Sequence, residues 1–264
     1  MKRIVAFLLT ILVLLGLSGC KKENGITLEE LNQLGSLKIA VVADCAPYVL
    51  QGEDGSLSGI EIDLLRRVCD DLGATPAFTV LSREEALEGV EKGDYHLAAG
   101  MLSEKCATEQ DLIYTHAYAK IPQVIVCKLD GSFHKMTDLQ VKRLGARDGT
   151  YAHALAAKEG YFLFPYATYA ELIQGLADDT VAALLMDRWV ANTLVPPYDE
   201  TVTKAGDIVV LDATVTNGTH NFALARGSEE IAAKINETVS TLAADGVMAD
   251  IFSAYSTTYH SPYN

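Results

Sequence analysis

Strands that alternate with helices along the whole chain predict an α/β architecture with mainly parallel sheets. A duplicated module sharpens this to two lobes facing each other. In residues 168–187, TYAELIQGLADDTVAALLMD, Thr168 and Glu171 have the spacing of a capping box. Leu172, Ile173 and Leu176 follow at helical spacing. The apolar run from Val181 to Met186 reads as a strand buried on both faces, and it ends at a carboxylate, Asp187. An acid there lies where open α/β sheets hold their ligands. Residues 82–100, SREEALEGVEKGDYHLAAG, repeat the order: Ser82 with Glu85, then Ala86, Leu87 and Val90, a Gly93-Asp94 turn, a short strand and a break at Gly100. The chain has 264 residues, 49% of them hydrophobic, enough for one large or two modest cores.

The elements follow in order. Lys2 and Arg3 precede a short apolar run, Ile4 to Leu17, below the ~20 residues of a membrane span, which has the shape of an export signal. It ends in Leu17-Ser18-Gly19-Cys20, which resembles the lipobox of bacterial lipoproteins; that resemblance makes Cys20 the lipidated first residue of the mature chain. Residues 21–35 form a polar tether and a short helix, opened by Thr27 with Glu30 and stopped by Gly35. The apolar run from Leu37 to Val42 is a central strand. Glu53-Asp54-Gly55 is a turn, and a helix with Ile62, Leu65, Cys69 and Leu72 on one face runs to Gly73. Phe78 to Leu81, Gln123 to Cys127, Leu144 to Ala146, Ile208 to Leu211 and Asn221 to Ala225 read as strands. Tyr151 to Lys158, Trp189 to Leu194 (ended by Pro196 and Pro197), Ser228 to Ala243 and Val247 to Tyr255 read as helices.

A net charge of −14 excludes a nucleic-acid partner, because phosphate binding needs a basic face. Besides Cys20 there are Cys45, Cys69, Cys106 and Cys127, whose spacings match no CxxC metal pattern. Cys69 reads as a small buried hydrophobe. No metal and no cofactor are expected, and His96, His134, His153, His220 and His260 read as structural.

A family likeness then emerges from many short motifs in order: LKIAVVAD, APY, GSLSGIEIDLLRRVCDDLG, ALEGVEKGDYHLAAGM, YTHAY, QVIV, LGARDGTYA, YAELIQGL, VAALLMD, FALARGSEE and LAADGVMADIFSAY. Over about residues 36–256 the chain resembles the bacterial family 3 extracellular solute-binding proteins, the polar amino-acid receptors of ABC importers. The resemblance implies a bilobal periplasmic-binding-protein-like fold: two three-layer α/β lobes joined by two hinge crossings. Lobe 1 would span 36–121 plus 226–264 and lobe 2 would span 122–225, with the QVIV and NFALA strands as crossings.

It also implies a ligand site between the lobes. Cys45 stands where an aromatic residue often stacks on the ligand, and Tyr48 takes the place of the Phe three residues on. Ala99, Gly100 and Leu102 mark a strand end that offers backbone groups to the ligand. The arginine that grips the ligand's carboxylate is absent from residues 103–111; Arg147 is the best substitute, and Lys105 a weaker one. Gly149-Thr150 keeps a turn at a helix start that can hold an anion. Asp187 would take the ligand's ammonium. Plainer readings stand beside these: Asp187 as a helix cap, Arg147 in solvent or paired with Asp148, Tyr48 as core, and Cys45 with Cys106 as either a disulfide or two free thiols.

The expected function is an extracytoplasmic, lipid-anchored, monomeric binding protein. It would capture a small amine-bearing polar solute, an amino acid or related amine, for an ABC permease in the membrane. The rivals are an enzyme of dehydratase or lyase type, using Glu61, Asp187 or His116 as acid or base, and a ligand sensor subunit.

Overall fold

The computed structural model describes residues 23–106, 111–129, 133, 135–140, 142–196 and 206–263. The leader with Cys20, the start of the tether, residues 107–110, His134 and Pro197 lie outside the described residues. Among those described, no helix is long and apolar enough to cross a membrane.

The chain folds around two five-stranded sheets. Helix α1 (Leu28–Leu34) opens on the Thr27–Glu30 capping box and stops at Gly35, whose φ of 65° suits glycine. Then come β1 (Ser36–Val41), the small hairpin β2 (Leu50–Gln51) and β3 (Leu57–Ser58), helix α2 (Ile60–Asp71), β4 (Thr75–Val80), helix α3 (Arg83–Lys92), β5 (Leu97–Ala99) and β6 (Leu112–Tyr114). The second sheet uses β7 (Ala119–Lys128), β8 (Arg143–Arg147), helix α4 (Tyr151–Lys158), β9 (Phe162–Tyr166), helix α5 (Tyr169–Ala177), β10 (Ala183–Asp187), helix α6 (Arg188–Leu194) and β11 (Ile208–His220). The chain returns through β12 (Ala223–Ala225) to helices α7 (Glu229–Ala244) and α8 (Val247–Ala254).

The first sheet has the order β4-β1-β5-β12-β6 and the second β11-β7-β10-β8-β9. Both are mixed, with one strand in each running against the other four. The strands β4, β1 and β5 run parallel, as do β9, β8 and β10. The returning strand β12 and the long pair β7 and β11 are antiparallel to their neighbours. A chain that leaves one lobe and comes back must reverse direction, and those strands carry the reversal. The strand at 223–225, expected in the second lobe, pairs with β5 and β6 of the first. The polar stretch from Asp212 to His220, which carries little strand signal, is the second half of β11 on the sheet edge, where one side needs no apolar cover.

Each sheet is covered on both faces, which makes three layers. On the second sheet, Leu184 and Met186 of β10 point to Tyr169, Leu172 and Leu176 of α5, while Ala183 and Leu185 point to Ala152 and Ala156 of α4. The first sheet has α2, α7 and α8 on one face and α3 on the other, the latter through Ala40 and Ala98 against Ala86, Leu87 and Val90. Residues of both sheets belong to one buried cluster, so the lobes meet.

Candidate functional site

The junction between the lobes is built on two short, buried segments. In the second lobe, β8 and β10 are parallel neighbours, paired Ala183 to Leu144 and Leu184 to Gly145. Their C-terminal residues are Arg147 and Asp187, offset by one residue in that register. In the first lobe, residues 44–48 cross from β1 towards β2. The carbonyls of Pro47 and Tyr48 cap the start of α2, accepting from Ile60 N at 3.1 Å and Glu61 N at 2.9 Å. Gly59 permits this approach: a Cβ there would lie 2.3 Å from the Tyr48 carbonyl oxygen.

Asp187 has two sets of partners. Its Oδ1 caps α6, accepting from Trp189 N at 2.7 Å and Val190 N at 3.2 Å. Its Oδ2 faces the other lobe, accepting from the Tyr48 hydroxyl at 3.0 Å. The capping reading and the cleft-facing position hold together. Burial raises the Asp187 pKa to about 7, against the pull of those hydrogen bonds. Burial, and then the charge of Asp187, push the Tyr48 hydroxyl well above its ordinary range, so it remains a donor.

Sequence reasoning missed what lies beside this pair. His220 Nε2 is 3.7 Å from Asp187 Oδ2, and His220 Nδ1 is 3.2 Å from the Tyr118 hydroxyl. Tyr118 donates to Glu61 Oε1 at 2.5 Å, and Met101 N donates to the same oxygen at 2.9 Å. The Tyr118 proton is thus committed to Glu61, which makes His220 Nδ1–H the donor to Tyr118. Burial lowers the His220 pKa to about 3, so the ring is neutral, and burial raises that of Glu61. A buried hydrogen-bonded chain runs from Glu61 through Tyr118 to His220, whose Nε2 lies near the Asp187–Tyr48 pair. A lone His and a lone Glu carry no spacing signal; only the two crossing strands bring them together.

Arg147 is 6% exposed and does not pair with Asp148. Its Nη2 lies 3.4 Å from Asp44 Oδ2 of the first lobe, its Nε donates to Ala167 O at 3.3 Å, and its Cζ sits 4.8 Å above the Tyr169 ring. Thr150 caps α4, accepting from His153 N at 3.3 Å and donating to Arg147 O at 2.7 Å. The Gly149 N–H is taken by Asp148 Oδ1 at 2.8 Å, so this turn does not present it to an anion. Lys105 lies 5.3 Å from the Tyr151 ring centroid, across the junction from the first lobe.

The strand end of the first lobe differs from expectation. The backbone of Ala99, Met101 and Leu102 is satisfied within the protein: Ala99 O by Val42 N, Met101 N by Glu61, Leu102 O by Asn221 N. Gly100, φ 125°, is packed on Val42. Cys45 is buried, with its thiol donating to Val42 O at 2.8 Å, and does not stack on a cleft surface. Cys45 and Cys106 are both free thiols, as are Cys69 and Cys127. Among the described residues no His, Cys, Asp and Glu group forms a metal cluster, and His116 is exposed.

The model of one protein family matches residues 37–258. The L-cystine-binding protein of Escherichia coli (strain K12) is 21% identical over 225 residues, covering 84% of this chain and 82% of that one. An amino acid ABC transporter substrate-binding protein from Streptococcus pneumoniae, solved with L-arginine, has a TM-score of 0.72 at 20% identity over 86% of this chain and 97% of that one. An ancestral amino acid-binding protein, described as a precursor of cyclohexadienyl dehydratase, has a TM-score of 0.72 at 18% identity over 86% and 98%. The two structures share the bilobal fold. With the family match running over most of its length, the chain belongs to the bacterial extracellular solute-binding proteins, family 3.

Proposed function

We propose that this chain captures a small amine-bearing amino acid between its lobes and passes it to an ABC permease. The observation that carries the reading is the matched pair of contacts across the junction. Asp44 places a carboxylate 3.4 Å from Arg147, and Tyr48 places a donor 3.0 Å from Asp187. One first-lobe segment thus gives Arg147 a carboxylate and Asp187 a hydrogen-bond donor, the roles that the carboxylate and ammonium of an amino acid would fill. A ligand that replaces Asp44 and Tyr48 makes contacts to both lobes, and those contacts drive hinge closure.

The protein would work outside the cytoplasm as a monomer, tethered through a lipid on Cys20 and a short polar linker. Lys105 stands at the anion end, Gly149 and Thr150 shape its turn without donating to the anion, and Cys45, Ala99, Gly100 and Leu102 support the first-lobe wall without touching the ligand. Catalysis is not part of this reading.

A thermal-shift screen of amino acids, polyamines and other amines tests the reading. A specific amino acid should raise Tm, by about 2.7 kcal/mol of added stability at a hundred times Kd. Asp187→Ala should fold and lose that response. A full response in this variant, or no response of the unmutated protein to any member of the panel, would sink the proposal.

A further inference from the structure

Arg83 is the first residue of α3, inside the Ser82–Glu85 capping box. The first turn of a helix favours acids and disfavours cations, and two glutamates follow Arg83 there. The arginine therefore breaks a local rule, and such breaks concentrate at functional sites. Its side chain runs away from its own helix onto the second lobe. A Cβ built on Gly149 would lie 2.5 Å from Arg83 Nε and 3.2 Å from its Cζ, so the guanidinium rests on the Gly149 turn, two residues beyond Arg147.

Two buried guanidinium nitrogens in this corner lack partners. Arg83 Nη1 and Arg147 Nη1 are both shut off from solvent, and neither has a hydrogen-bond partner among the described residues. They come from opposite lobes and carry the same charge. Burial pushes the Arg83 pKa down, and Arg147 pushes it the same way. Asp44 meets Arg147 only on its Nη2 side, and its own side chain is 51% exposed, so it is an incomplete counter-ion. Buried N–H groups on charged side chains are costly to leave without an acceptor.

We infer that Arg83 and Arg147, one from each lobe, together hold the carboxylate of the cleft ligand, with each Nη1 donating to it. The anion replaces a repulsion between the lobes with two charge-assisted hydrogen bonds. It lies at the Gly149 end of the cleft, and the ammonium lies at the Asp187 end. The inference rests on the amino-acid reading above for the ligand's second group, but the anion site stands or falls separately.

Calorimetric titration of the full protein tests it, using L-arginine and L-cystine, their decarboxylated counterparts agmatine and cystamine, and succinate as a carboxylate without an amine. The unmutated protein should bind an amino acid and bind its decarboxylated counterpart at least tenfold more weakly. Arg83→Met should weaken amino-acid binding about 10- to 100-fold, while the ligand-free Tm stays level or rises because a buried cation has gone. Should Arg83→Met fail to fold, Arg83→Lys serves: a point charge without a fork should still lose about tenfold. Amino-acid binding that needs Asp187 but not Arg83 overturns the anion site and leaves the amino-acid reading intact. Succinate binding that needs Arg83, with no amino acid bound, supports the anion site and removes the amino-acid reading. Agmatine or cystamine binding as tightly as its parent, or no carboxylate binding at all, overturns the anion site.

Discussion

At the scale of single residues the junction is governed by desolvation. Asp187 titrates at about 7 instead of 3.8, chiefly because closure removes its water. The folded, ligand-free protein therefore holds this proton up to about pH 7, while the unfolded chain releases it near pH 4. Between those limits the folded state binds more protons than the unfolded one. Its stability is fully present below the unfolded pKa and is lost as pH rises towards 7. Urea unfolding at pH 5 and pH 8 should show this fall, and Asp187→Asn should reduce it; an unchanged slope in that variant would refute the assignment. Glu61, raised in the same direction, keeps its own share in the variant. Asp187 was legible in the sequence because a strand pattern ran straight into it. Tyr118, His220 and Glu61 were not, because each is an isolated polar residue whose partner lies 57 to 102 positions away.

At the scale of elements the helix starts were the most legible part of the chain, since a capping box is local chemistry between residues three apart. Thr27, Ser82 and Thr168 all form the box, with Glu30, Glu85 and Glu171. Thr168→Ala should cost about 1 kcal/mol by chemical denaturation. That is less than the roughly 1.5–3 kcal/mol of each buried Leu172 or Leu176, so α5 should survive. A loss above 3 kcal/mol would mean that the cap sets the tertiary position of α5 as well. Strands were read less well. The strand β9, FLFPY, carries Pro165 and lies at the sheet edge, where a missing N–H is tolerated. The same proline hides it from a pattern search. In β7, Pro122 sits just outside the stretch that pairs with β10, and the strand extends three residues before it through its pairing with β11.

At the scale of the whole molecule, two lobes are linked by the crossing pair β7 and β11, and Trp189 stands next to Asp187 at their junction. This is the chain's one tryptophan. Its backbone N–H is bound to Asp187 and its ring stacks on His260, with centroids 6.1 Å apart and planes 11° apart. A ligand that rearranges Asp187 should therefore change the intrinsic fluorescence. The emission change should disappear in Trp189→Phe while the thermal shift persists; an emission change that survives the substitution would place its source elsewhere.

Local residue patterns determined the helix starts, the two buried helix–strand modules and the carboxylate at the end of the second. These depend on neighbours within about ten residues, so one sequence carries them. The tertiary structure decided which polar groups face one another. It joined Asp44 to Arg147, Tyr48 to Asp187 and Arg83 to Gly149, all across the lobes, and it sealed the strand end at Ala99 to Leu102 with Glu61 and Asn221. Hydrogen bonds and charges act within a few ångströms of space, and no periodicity records which distant residue closure will bring within that range.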